Sequence, residues 1–111
     1  MINRMLFRLM GASLLAGGML ISAAYAADTG QSLFTERCGM CHQTNGMGVG
    51  ILSRRAGDTS KGLLEQRTDL SAAVVRVVVR NGIGNMPRIS RAEASDPQLA
   101  LIADYLSRGK P

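Results

Sequence analysis

The sequence predicts an all-α domain of about three to four helices. Two observations carry that expectation. In three segments apolar residues recur three and four positions apart, and each segment is bracketed by residues that start or stop helices. Elsewhere the chain is loop-like and shows no internal repeat.

The first segment, residues 29–39, begins at a Thr29 cap and places Gly30, Phe34 and Cys38 at intervals of four, which makes one helix face. Residues 43–67 contain Gly46, Gly48 and Gly50 with scattered charges. They read as loops with room for one short helix at "SKGLLEQR". The segment "LSAAVVRVVVRNG" is ambiguous, since five valines in six positions favour a strand by propensity. Ser71 is a good cap, however, Leu70, Val74, Val77 and Val78 repeat at helical spacing, and Asn81-Gly82 is a helix end. A helix is therefore expected, with tertiary packing overriding a weak propensity. The last segment starts at Asp96-Pro97, carries a stripe of Leu99, Ile102, Tyr105 and Leu106, and stops at Gly109.

Residues 1–26 read as a secretory signal peptide, cleaved after Ala26. Arg4 and Arg8 form a positive beginning, an uncharged apolar stretch follows, and Ala24-Tyr25-Ala26 is a cleavage signature. An uncleaved anchor is the competing reading, because residues 9–27 carry no charge and are about long enough to span a bilayer. Gly11, Gly17 and Gly18 weigh against it. Cleavage would deliver residues 27–111 to the periplasm as one small domain.

That domain has few means of building a core. Of the chain's two Phe and two Tyr, only Phe34 and Tyr105 lie beyond the leader, and there is no Trp. A domain this small needs a disulfide, a metal or a cofactor as a staple. The net charge of +5 falls by two when Arg4 and Arg8 leave, and no basic run is interleaved with aromatics, so nucleic acid is not an expected partner.

Both cysteines and the only histidine fall in "RCGMCHQTNG": Cys38, Cys41 and His42. A thioredoxin-like redox pair would need a βαβ context, which the surrounding pattern lacks. A structural zinc site wants four ligands, so a carboxylate would have to complete the set. The third reading is a covalent haem. Two thiols three positions apart on a helical turn can reach the two vinyl groups on one porphyrin edge, and the next residue offers its imidazole to the iron. C-x-x-C-H in an exported chain favours this reading, with one haem c that is also the missing staple.

Iron held by His42 keeps one face open, and no second His is available. Beyond the leader the methionines are Met40, Met47 and Met86. Met40 lies between the cysteines, on the side of His42, and Met47 follows His42 too closely in a glycine-rich loop. Met86, in "RNGIGNMPRIS", sits in a loop that can bring a thioether over the ring. Met86 is the expected sixth ligand, so cofactor binding is assigned to Cys38, Cys41, His42 and Met86, and metal ligation to His42 and Met86.

The segments "GQSLFTERCGMCH", "CHQTNGMGVG", "VVRNGIGNMP" and "DPQLALIADYLSRG" together make residues 27–111 resemble the class I monohaem cytochromes c. Within that family the chain is most similar to short cytochrome subunits of flavin- or quinone-dependent dehydrogenases, of the para-cresol methylhydroxylase type. The resemblance implies a small cytochrome c fold wrapped around one haem, with the first and last helices crossing near Gly30, Phe34 and Tyr105. Many members have a Pro whose carbonyl receives the imidazole N–H. Here Ile51 stands in its place, and a carbonyl between Val49 and Leu52 is expected to serve instead.

A haem with both axial positions filled leaves no room for a substrate, so the expected function is electron transfer and not catalysis. The expected partners are a dehydrogenase donor and an oxidase or second cytochrome as acceptor, with membrane contact only through partners if the leader is cleaved. Two alternatives stand beside this: an obligate dehydrogenase subunit, and a five-coordinate haem protein with Asn85 and Arg88 near the open iron. Arg54, Arg55 and Arg88 are candidates for the haem propionates. Arg80, Arg88 and Arg91 are expected to make the surroundings of Met86 positive and to steer a partner.

Overall fold

A computed structural model describes residues 27–108. The signal peptide expected over residues 1–26 and the stop at Gly109 lie outside them. Four helices follow one another: α1 (Gly30–His42), α2 (Met47–Ala56), α3 (Ala72–Asn81) and α4 (Asp96–Ser107). Two 3-10 turns, Thr59–Lys61 and Leu64–Gln66, fill the stretch between α2 and α3. No helix among the described residues is long and apolar enough to cross a membrane.

α1 starts where its cap predicts. Thr29 Oγ1 accepts from the Ser32 amide at 3.1 Å, and the Ser32 hydroxyl accepts from the Thr29 amide at 3.0 Å, a reciprocal capping box. The helix runs on past the expected end at residue 39 to His42, so the whole C-x-x-C-H motif is helical. α4 is capped in the same manner by Ser95 and Gln98, with Pro97 in its first turn.

These two helices cross at the predicted residues. A Cβ on Gly30 would overlap the Leu101 carbonyl oxygen and lie 2.6 Å from Tyr105 Cβ, so only glycine lets the backbones approach this closely. Phe34 is fully buried beneath the crossing, its ring 6.1 Å from that of Tyr105 at an angle of 43°. The Tyr105 hydroxyl donates to the Glu65 carboxylate, tying the second 3-10 turn to α4. Gly30→Ala should lower stability by about 1–3 kcal/mol, because the obstacle is backbone that cannot rotate away. A urea midpoint equal to that of the parent would show that the crossing can spread at no cost.

α3 forms despite its valines, with Ser71 as cap and Gly82 at its end. The face turned to the core differs from the expected one. Val75 and Val79 are buried against α4, whereas Val74 and Val77 are 53% and 59% exposed. Of the predicted stripe, Leu70 and Val78 are half-buried. With valine on nearly every side, periodicity could not decide which face the fourth helix would cover.

α2 was not expected: its glycines predict a loop. Gly46 caps it, Gly57 ends it in the left-handed conformation (φ 64°), and Gly48 between them serves close packing. A Cβ on Gly48 would lie 2.7 Å from the Cys41 carbonyl oxygen. Tertiary contact here outweighs the roughly 1 kcal/mol that a mid-helix glycine costs.

Candidate functional site

The last turn of α1 carries Cys38, Cys41 and His42 together, on a helix whose buried Leu33 and Phe34 anchor it to the core. His42 stands four positions after Cys38, on the same side of the helix. Both cysteines are free thiols and half-buried. Burial, and secondarily the neighbouring Cys41, pushes the Cys38 thiol up, so it stays protonated at neutral pH. Burial also lowers the His42 pKa below 6.5, which keeps the imidazole neutral and able to act as a metal ligand.

Immediately after His42 the chain reverses. The Gly46 amide donates to the Gln43 carbonyl at 2.8 Å, and Asn45 takes φ 70°, a left-handed conformation that Asn tolerates. This turn lays the start of α2 on the end of α1. A Cβ on Gly48 would stand 3.2 Å from His42 Cε1 and 3.3 Å from Nδ1. The ring is thus cradled by a glycine that by sequence read only as part of a loop.

Of the two ring nitrogens, only Nδ1 is both buried and without a hydrogen-bond partner. The expected carbonyl between Val49 and Leu52 does not accept from it. Those residues belong to α2, where a carbonyl is engaged by the amide four residues on.

The methionines separate clearly. Met40 and Met47 are 93% and 70% exposed, and Met47 opens α2 instead of lying in a loop. Met86 is half-buried and packs against the same core that Cys38 touches. Its position is set by backbone: Ile83 and Met86 exchange amide-to-carbonyl bonds of 3.0 and 2.9 Å around a tight turn with Gly84 at φ 56°. Gly82, at φ 73°, leaves space for the Met86 carbonyl, which a Cβ would approach to 2.7 Å. Among the described residues no hydrogen bond joins Met86 to His42.

Beyond Met86 the loop is pinned to α3 by Arg80. Its guanidinium donates to the carbonyls of Ile89 (2.9 Å) and Ala94 (2.8 Å) and to the Asp96 carboxylate (2.8 Å). Arg91 donates to the other Asp96 oxygen at 2.8 Å. Two of the three arginines expected to steer a partner are therefore tied to an acid, five and sixteen residues away. Of the three, Arg88 keeps an uncommitted charge, in an open cavity of about 580 Å³ that it lines with Arg80, Ile89 and Arg91.

Among the described residues no three His, Cys, Asp or Glu side chains converge on a metal position, so no carboxylate completes a zinc site with Cys38, Cys41 and His42. Nor does a strand flank the motif, as a thioredoxin-like pair would need. A family model described as cytochrome c oxidase, cbb3-type, subunit III, matches residues 25–106. The chain belongs to the cytochrome c family.

This cytochrome is 32% identical over 95 residues to the cytochrome c subunit of 4-cresol dehydrogenase (hydroxylating) from Pseudomonas putida, covering 81% of this chain and 73% of that protein. It is also similar to a chain in the crystal structure of p-cresol methylhydroxylase with substrate bound, with a TM-score of 0.55 and 31% identity, over 75% of this chain and 95% of that one. The resemblance read from the motifs is borne out at both levels. Membership makes the protein an electron-transfer cytochrome that is not itself catalytic, and implies a haem.

Proposed function

We propose that residues 27–111 form a periplasmic carrier of single electrons that holds one haem c covalently and receives electrons from a dehydrogenase. The observation that carries this is that Cys38, Cys41 and His42 stand together in the last turn of α1, with the His42 ring seated on Gly48.

The residues fit a haem. Cys38 and Cys41 each add sulfur and hydrogen across a vinyl group, so attachment loses no atom. His42 offers one ring nitrogen to the iron, while the buried Nδ1 is left for a water or a small backbone adjustment to satisfy. Met86, the half-buried methionine, would offer its thioether as the second ligand. Val74 and Val77, exposed in the protein alone, supply apolar surface suited to a porphyrin face and would keep water from it. When bound, the haem supplies a one-electron change between Fe(II) and Fe(III), at a potential raised by a His/Met ligand pair.

The relatives favour a second, narrower reading: a subunit held within a dehydrogenase complex. A reduced-minus-oxidised spectrum of the matured protein tests the shared core of both readings. The expected result is a c-type haem spectrum that survives denaturation with the chain, and a featureless spectrum would dismiss both. Gel filtration of a periplasmic extract then separates them, since a free carrier elutes at its own mass and a subunit with its partner.

A further inference from the structure

Five arginines among the described residues have an acidic partner. Arg37 meets Glu36, Arg67 meets Asp69, Arg76 meets Asp104, and Arg80 and Arg91 share Asp96. Arg54, Arg55 and Arg88 make no such pair. Arg54 stays along its own helix, where a Cβ on Gly50 would lie 3.8 Å from its Nη1.

Arg55 alone of these three reaches another element at the site. From the last turn of α2 its guanidinium lies on the turn that presents Met86: a Cβ on Gly84 would be 2.5 Å from Nη2 and 2.8 Å from Nη1. Glycine there has two reasons, since φ is 56° and any side chain would evict the guanidinium. Arg55 thus spans from the helix that seats His42 to the turn that carries Met86, and among the described residues its five N–H donors meet no acceptor. A planar fork of donors is matched by a carboxylate, which it can bind in two parallel bonds.

We infer that Arg55 is a carboxylate-binding residue, that its ligand is a haem propionate, and that its grip also steadies the Met86 turn through Gly84. This rests on the covalent-haem reading above. It selects one of the three arginines that the sequence left equivalent, and it links α2 to the Met86 turn.

The test uses matured holoprotein with Arg55→Gln, Arg55→Lys and, as a charge-matched control, Arg54→Gln. Losing a positive charge beside the haem should shift the Fe(II)/Fe(III) ratio about tenfold toward ferric at a fixed potential, a fall of about 59 mV for one electron. Arg55→Lys should recover most of that shift. The propionate bending vibration in the resonance Raman spectrum should move in both Arg55 variants, because Lys cannot bind in a bidentate manner, and should not move in Arg54→Gln. Ferric Met86 ligation should be lost at lower denaturant in Arg55→Gln.

A propionate vibration unchanged by Arg55→Gln would overturn the inference. So would a parent potential that shifts with acetate at constant ionic strength, which would make the ligand an external carboxylate. Parent protein without haem would overturn this inference together with the proposed function, and is told apart by its featureless spectrum.

Discussion

Replacing Cys38 and Cys41 together by Ala should leave no haem on the denatured chain and almost no folded holoprotein. The two residues are the chain's only cysteines, so no other side chain can form a thioether. The effect on yield follows from the size of the core. Its fully buried large side chains are Phe34, Leu33 and Ile102, and apolar residues of α3 lie open beside it. Without the tether those valines face water, and a domain this small has little stability in reserve. Each single variant should retain one thioether at best. Intact mass is the measurement, with the parent expected at the mass of residues 27–111 plus one haem and no titratable thiol. A parent of apo mass with two thiols or a disulfide would reject covalent attachment, and haem retained by the double variant through denaturation would reject these residues as the anchors.

Met86→Ala should leave the fold in place and change the iron. The turn is held by backbone bonds between Ile83 and Met86, which alanine also makes, and Gly82 and Gly84 are untouched. The weak charge-transfer absorption of ferric His/Met haem should disappear, and cyanide and carbon monoxide should bind where the thioether was. The potential should fall by on the order of 0.1–0.3 V, a fraction of the roughly 0.8 V that axial ligands span. Met47→Ala is the counterpart. Its side chain is 70% exposed at the first residue of α2, so its removal should leave spectrum and potential alone. If Met47→Ala abolished the band and Met86→Ala did not, the ligand would be misassigned.

The sequence alone determined whatever rests on local chemistry. The caps Thr29 and Ser71 and the start signal Asp96-Pro97 located three helices within a few residues, because such signals act within their own first turn. The placing of Cys38, Cys41 and His42 on one turn needed only their spacing. The Gly30, Phe34 and Tyr105 crossing was legible through a family pattern, and the backbone approach at Gly30 gives its reason.

What only the tertiary structure decided depends on which surfaces meet. α2 was invisible because glycine lowers helix propensity, and the packing that overrides it, Gly48 against the carbonyl of Cys41, exists only once the chain has reversed after His42. The same is true of α3, whose valines offered two apolar sides until α4 covered Val75 and Val79. Charge behaved likewise. Arg80 read as free in sequence because Asp96, sixteen residues on, reaches it only once α4 has folded back on α3, and Arg55, one of three propionate candidates by sequence, comes to lie on the Met86 turn. Partners brought together by such long-range packing lie outside any window of neighbouring residues.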